Sequence, residues 1–351
     1  MARFRHILLI ILAMALALGA AGPASAGDSP TVLTLMSHDS FAVGKETLAA
    51  FEKEHGVTLT LLKSGDAGAA VNQAILSKKN PLADVFFGVD NTFMSRALKA
   101  DIFEPYASPR LADIPDELKL DPSQRLLPVD FGDVCLNYDK AWFAQQQLAP
   151  PRGLLDLIQP AYKSLTVVQN PATSSPGLAF LMTTVGSLGE SGYQDFWKQM
   201  RVNDVYVTAG WSDAYYGQFT RAKGGTRPII VSYASSPPAE VHYSETPLSE
   251  APTAAVLSPG AAFRQIEFVG ILKGTKHPEL ARKLVDFMLS PAFQQDIPLN
   301  MWVFPAVQGT PLPEVFTKYT QQAREPVLLT PEAIEAGREQ WIETWTDIVL
   351  R

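Results

Sequence analysis

Residues 84–89 read DVFFGV, a largely apolar run that is typical of a strand buried on both faces of a sheet. Toward the N-terminus, further strands are predicted at 57–62 and 32–36. Helices are predicted between these strands, at 67–79 and 45–55, where apolar residues recur on one helical face. This alternation of strands and helices predicts a parallel sheet in a doubly wound α/β fold.

A second set of strands and helices follows farther along the chain. A strand at 134–138 is predicted to cross to a second lobe, and an apolar-rich strand at 263–272 is predicted to return to the first. We therefore expect two lobes, one formed by residues 27–131 and 267–351 and the other by residues 132–266, with a ligand cleft between them. The other predicted elements are strands at 165–169, 205–208 and 229–233 and helices at 177–186, 193–202, 278–289, 291–296 and 331–349.

The N-terminus has the pattern of a cleaved secretory signal peptide. Arg3 and Arg5 precede a short apolar run at 7–21, and Ala24-Ser25-Ala26 supplies a site of the Ala-x-Ala type. The apolar run is short for a membrane anchor. The sequence therefore predicts a signal peptide at residues 1–26 and a periplasmic mature protein that begins at Gly27.

Composition narrows the classes of protein. The chain has 351 residues and a formal net charge of −7, which disfavours nucleic acids and anionic membranes as partners. Cys135 is the single cysteine, so no intramolecular disulfide can form, and its apolar surroundings indicate a buried, inert thiol. With 46% hydrophobic residues, a chain of this length can bury its own core, and we expect a monomer. Trp341 and Trp345 lie four residues apart on the last predicted helix and are expected to dock it on the body.

Three stretches carry the chemistry of a binding site. Residues 210–217 (GWSDAYYG) and 300–305 (NMWVFP) supply flat aromatic faces, which bind cations through their ring quadrupoles. Residues 170–178 (NPATSSPGL) read as a capped helix start, whose free N–H groups suit an oxyanion. A buried carboxylate such as Asp39 would attract a cationic ring. Together they predict capture of a flat cation with a polar or phosphorylated tail.

These stretches also resemble a known family. The chain is similar to periplasmic solute-binding proteins of ABC importers, specifically the thiamine-binding type. The resemblance rests on residues 37–41 (SHDSF), 82–91, 173–178 (TSSPGL), 210–215 (GWSDAY) and 289–294 (LSPAFQ), with Trp302, Pro305, Ser232-Tyr233 and Ser236-Pro237. It implies the type II periplasmic-binding-protein fold, with two strands crossing between lobes that hold thiamine, thiamine monophosphate or thiamine diphosphate. It also implies a membrane permease as partner, closure of the lobes on the ligand, and no cofactor.

The resemblance assigns site residues by position. Tyr233 and Trp302 are implied as aromatic partners of the ligand rings. Two departures bear on ligand choice: His38 stands where a Tyr is typical, and the usual ring-contacting Tyr after Pro237 is missing or displaced, so Glu240 or Tyr243 is a candidate to compensate. The other implied ligand-binding residues are Asp39, Ser40, Asp66, Gly68, Ser174 and Trp211, and Tyr215 and His38 are added as candidates. Asp66, Gly68, Ser174 and Trp211 are implied at the hydroxyethyl or phosphate end.

Other readings of the same residues stay open. Tyr215-Tyr216 is a vicinal pair of the kind some iron-binding relatives use, with His38 and Asp39 or Glu240 as further candidates for Fe(III), and a polyamine-type cation is a further alternative. If this segment is extended, only one of the two tyrosines faces the cleft. Enzyme motifs are lacking in the sequence: residues 130–132 match the letters DFG alone and are predicted as a turn that enters the crossing strand. A non-enzymatic binding protein is therefore expected.

Overall fold

The computed structural model describes residues 30–351. The predicted signal peptide, residues 1–26, lies outside this part of the chain. Among the described residues, the helices are all too short or too polar to cross a bilayer.

One mixed β-sheet positions the loops of the candidate site. Its strands are β1 Thr31–Ser37, β2 Val57–Lys63, β3 Val85–Asp90, β4 Phe103–Glu104, β5 Leu127–Asp139, β6 Thr166–Gln169, β7 Tyr206–Thr208, β8 Ile229–Tyr233, β9 Thr253–Val256, β10 Ala262–Leu272 and β11 Phe304–Pro305. The main path of the sheet follows the order β2-β1-β3-β10-β5-β8-β6-β7, with β4 pairing with β10, and β9 and β11 pairing with β5.

The sheet has two parallel parts joined by long antiparallel strands. β1 pairs parallel with β3, and β6 pairs parallel with β7 and β8, as the alternating pattern predicts. Between them β5 and β10 pair antiparallel, and they place Asp130 opposite Glu267. The predicted crossing by these two strands is confirmed, whereas the lobe boundaries at 131/132 and 266/267 stay a prediction. Residues 130–132, predicted as a turn, lie inside β5 instead, because β10 and β11 supply ladder partners for that segment.

Helices flank the sheet where the apolar periodicity predicts them. Residues 177–186 and 193–202 form one assigned helix that is broken at Gly189, whose φ of 72° suits glycine. The predicted helix at 67–79 ends early, at Leu76, while the one at 291–296 continues to Asn300. The helices are α1 Lys45–His55, α2 Ala67–Leu76, α3 Met94–Lys99, α4 Lys140–Gln146, α5 Ser175–Val202, α6 Trp211–Asp213, α7 Ser236–His242, α8 Pro278–Met288, α9 Pro291–Asn300, α10 Glu314–Tyr319 and α11 Pro331–Val349.

Aromatic side chains dock the last helix on the core. Trp345 is fully buried on α11, and its ring meets Trp197 of α5 edge-to-face at 5.6 Å between centroids. Trp341 is also buried, and its indole N–H donates to Glu190 at 2.9 Å. The docking role predicted for this pair is confirmed. Cys135 lies fully buried in β5, as expected, and burial raises the pKa of its thiol well above the usual range.

Candidate ligand-binding site

A cavity of about 610 Å³ opens where loops from both parallel parts of the sheet meet. One wall comes from the loop after β1 and from the residues just before α2. The facing wall comes from the start of α5, from α6 and from α7, and the segment after α9 closes one end. This volume falls in the range of small-molecule sites, and the position beyond strand ends is where open α/β sheets bind ligands.

The structure brings most of the predicted site residues together around this cavity. Those that line it are His38, Asp39, Ser40, Asp66, Trp211, Tyr215, Tyr233 and Trp302. Asp39, expected to be a buried carboxylate, is exposed, and its backbone carbonyl accepts a hydrogen bond from Lys63 Nζ at 3.0 Å. The buried acid that lines this cavity is Glu267.

Two predicted residues lie behind the wall instead. Ser174 is fully buried, and its hydroxyl caps α5 by accepting from the Gly177 N–H, so the capped helix start predicted within residues 170–178 is present. Gly68 packs against the backbone before that helix, where a Cβ atom would lie 2.8 Å from the carbonyl carbon of Thr173. Both residues therefore shape the wall, while Ser175 and Pro176 from the same helix start reach the cavity.

An aromatic group covers one side of the cavity. The rings of Trp211 and Tyr215 stack at 4.8 Å between centroids, and the Trp211 indole N–H donates to Ser232 Oγ at 2.9 Å. Tyr215 O–H donates to Glu240 Oε1 at 2.7 Å. Tyr216 also lines the cavity, although it is largely exposed. The condition under which only one tyrosine would face the cleft is not met, because residues 214–218 form a helical turn rather than an extended segment.

Trp302 covers another side from the segment after α9. Its φ of 57° is in the left-handed region, which is uncommon for a tryptophan, and Ser235 Oγ donates to its carbonyl at 2.6 Å. The ring lies 5.6 Å from that of Tyr243. Tyr243 and Glu240, the two candidates to replace the missing tyrosine, both line the cavity from the region of α7. Glu240 lies on α7, a helix that begins at Ser236, and Tyr243 follows the last residue of that helix.

Asp66 ties the two walls together. Its carboxylate accepts the backbone N–H of Ala67 at 2.7 Å and, across the cavity, the backbone N–H of Trp211 at 2.9 Å. The hydroxyls of Ser40 and Ser212 also meet across the cavity, at 3.2 Å. Desolvation raises the pKa of Asp66, although hydrogen bonds from the Trp211 backbone, the Ser174 hydroxyl and the Ala67 backbone oppose this shift.

A buried ion pair forms part of the wall below these contacts. His38 Nε2 lies 3.2 Å from Glu267 Oε1, and both side chains are buried. Desolvation lowers the pKa of His38, but Glu267, helped by Asp66 and Asp39, outweighs it, and the net shift is upward. Asp130 stands beside Glu267 with a pKa raised well above its usual range, by desolvation and by the charge of Glu267. Desolvation raises the pKa of Glu267, but the charge of His38 and hydrogen bonds with His38 and Asp130 outweigh it, so the pKa of Glu267 is lowered.

Glu267 was not predicted as a site residue, although the sequence contains an indication of its role. A charged residue in the middle of the apolar run 263–272 is expensive to bury unless it is paired or used. Lys63 and Arg221 were also missed, because exposed cations at a cavity rim have no distinguishing sequence pattern. Arg221 Nε lies 3.2 Å from Glu240 Oε2 and so extends the Tyr215–Glu240 contact.

Comparison with known proteins places the chain in a family. Residues 80–325 match the family of bacterial extracellular solute-binding proteins. The chain is 32% identical to the thiamine-binding periplasmic protein of Escherichia coli (strain K12), over 91% of this chain and 94% of that protein. It is 29% identical to the thiamine-binding periplasmic protein of Brucella suis biovar 1 (strain 1330), over 92% and 94% of the two chains.

A solved structure agrees with these relatives. A periplasmic thiamin binding protein superposes with a TM-score of 0.82 and 28% identity, covering 92% of this chain and 97% of that one. The expected periplasmic-binding-protein fold is thereby confirmed. The family binds solutes for ABC importers and is not enzymatic, in line with the expectation from the sequence. The chain therefore belongs to the bacterial extracellular solute-binding protein family, as a solute-binding protein of an ABC importer.

Proposed function

We propose that the protein captures thiamine or a thiamine phosphate in this cavity and delivers it to the importer's membrane permease. The observation that carries the proposal is a cavity with aromatic rings on two sides and a buried carboxylate in its wall. The Trp211–Tyr215 stack lies on one side, Trp302 with Tyr243 on another, and Glu267 lies in the wall. The names of the relatives support the same ligand class.

The physical basis is recognition of a flat cation. A thiazolium ring carries a fixed positive charge, and each aromatic contact with such a ring contributes about 0.5–2 kcal/mol, depending on desolvation. Asp66 and Glu267 line the cavity, and negative charge in a protein wall attracts a cation more strongly than it would in bulk water. The binding residues in this proposal are the predicted ones that line the cavity, with Gly68 and Ser174 holding the wall in place.

Ligand capture in this proposal includes closure of two lobes. The bonds Asp66–Trp211 and Ser40–Ser212 join loops that are far apart in sequence, and they form only when the two walls approach. A ligand that contacts both walls favours the form in which these bonds exist. The closed form is the one offered to the permease in the membrane.

Fe(III) is a second candidate, favoured by one observation. Tyr215 and Tyr216 line the same cavity as His38 and Glu240. Iron would need phenolate ligands, however, so Tyr215 would have to lose its proton and the hydrogen bond that it donates to Glu240. An organic cation fits the protonated tyrosine better, since Tyr215 O–H can then keep its hydrogen bond to Glu240.

Intrinsic tryptophan fluorescence tests the proposal. The mature protein, unfolded and refolded to remove carried ligand, is titrated separately with thiamine, its two phosphates, spermidine and ferric citrate. We expect saturable quenching by a thiamine compound at about 1 μM or below. A visible colour with ferric citrate and no response to any thiamine compound would select the iron candidate instead.

A further inference from the structure

Among the described residues, Glu267 is the one buried acid that lines the cavity. An ionised carboxylate offers about four lone-pair sites. Asp66 and Glu240 also have two hydrogen-bond donors each, but both side chains are only half-buried, so water can reach their remaining lone pairs. Asp39 is exposed to solvent. Glu267 faces the cavity, is 5% exposed, and has only His38 and Asp130 as hydrogen-bonding neighbours among the described residues.

Two neighbours keep Glu267 ionised and fixed in place. His38 Nε2 lies 3.2 Å from its Oε1 atom on one side. On the other side Asp130 stands opposite Glu267 in the strand register, and both carboxylate oxygens of Asp130 are buried without a donor partner among the described residues. Two facing carboxylates share one proton, and the position of His38 beside Glu267 favours that proton on Asp130. The charge therefore stays on Glu267, which is the acid that reaches the cavity.

An acceptor in this position requires a donor from the ligand. A desolvated carboxylate with an unfilled lone pair is costly unless a hydrogen-bond donor enters with the ligand. Thiamine carries such a donor in the exocyclic amino group of its aminopyrimidine ring, whereas its thiazolium ring has no N–H. Tyr233 lines the cavity too and supplies an aromatic surface for a ring in that position.

We propose that Glu267, oriented by His38 and Asp130, is a specificity-determining residue that accepts a hydrogen bond from the exocyclic amino group of an aminopyrimidine ligand. This inference rests on the proposed function and adds the residue that recognises the aminopyrimidine ring. A site built around an acceptor rejects an analogue that presents an acceptor in return, because both groups then remain unpaired.

The test compares thiamine with oxythiamine, in which an oxo group replaces the amino group. Calorimetric titration of the wild-type protein should give an affinity for thiamine about 10- to 100-fold higher than for oxythiamine. In Glu267→Gln, whose amide can donate as well as accept, thiamine should bind about 10-fold more weakly and the ratio between the two ligands should fall to about 3-fold or less. Glu279→Gln, an exposed substitution on α8, is the matched control and should keep the wild-type ratio.

The outcomes separate the two proposals. Equal binding of thiamine and oxythiamine by the wild-type protein overturns the role of Glu267 while leaving thiamine capture intact, and this comparison needs no variant to fold. Equal losses for both ligands in Glu267→Gln also overturn it, because the carboxylate would then act on charge or folding alone. No binding of thiamine by the wild-type protein overturns both proposals.

Discussion

Removal of the Asp66 carboxylate tests whether the two walls are held together as described. The Asp66→Ala variant loses the hydrogen bond from the Ala67 N–H, a helix cap that contributes about 0.5–2 kcal/mol to the free energy of unfolding. It also loses the bond across the cavity to the Trp211 N–H, which is charge-assisted and worth about 1.5–3 kcal/mol. The cap contributes to stability in any form, whereas the cross-cavity bond contributes only when the walls meet.

The two losses have different measurable effects. Because only the second bond depends on closure, we expect thiamine affinity to fall by about 10- to 100-fold, beyond any change in melting temperature. Small-angle scattering of the ligand-free variant should give a larger radius of gyration than the wild type. Thr330→Ala is the matched control, since Thr330 caps α11 by accepting from the Ala333 N–H, and it should lower stability alone. An Asp66→Ala protein with wild-type affinity and radius would refute the closure argument.

Four single side chains provide further tests of the structure and the site. Trp302→Ala should weaken thiamine binding by about 3- to 30-fold in calorimetry with an unchanged circular dichroism spectrum; wild-type affinity would remove Trp302 from the site. Because the pKa of His38 is raised, its ion pair with Glu267 stabilises the fold fully below pH 6.5, the ordinary pKa of histidine, and this stabilisation is lost as the pH rises through the raised pKa. The melting temperature of the wild type should therefore fall over that pH window, and the melting temperature of His38→Gln should not. Cys135 should react with a thiol reagent only after unfolding, and reaction in the folded protein would contradict its burial. Trp345→Ala should cost about 3–5 kcal/mol of unfolding free energy and leave affinity per folded molecule unchanged.

Local sequence pattern predicted most of the fold, because the elements around the sheet follow their own periodicity. The helix Lys45–His55 and the strand Ile229–Tyr233 lie where apolar spacing and turn residues indicated. The prediction of a turn at 130–132 was wrong, since the place of this segment in β5 depends on pairing with β10 and β11, which are distant in sequence. The helix at Ser236–His242 was also not predicted, because its two prolines are compatible with a first helical turn as well as with a loop.

The candidate site was predictable in its aromatic residues and less so in its charges. Trp211 and Trp302 reach the cavity as expected, because each lies in a segment that follows a strand or helix end. The positions of Asp39 and Glu267 depend on tertiary packing: the first points to solvent and the second is buried beside His38. A charged residue in an apolar strand is visible in sequence, but the direction in which it faces is not.

The central claim is that this cavity holds one thiamine-class cation, and isothermal titration calorimetry of the mature protein with thiamine tests it most directly. We expect one site per chain with a dissociation constant of about 1 μM or lower, equivalent to about −8 kcal/mol or stronger. We also expect a negative heat-capacity change, because the aromatic walls lose water when the ligand enters. Absence of heat and of fluorescence change at millimolar thiamine and thiamine phosphates would contradict the account.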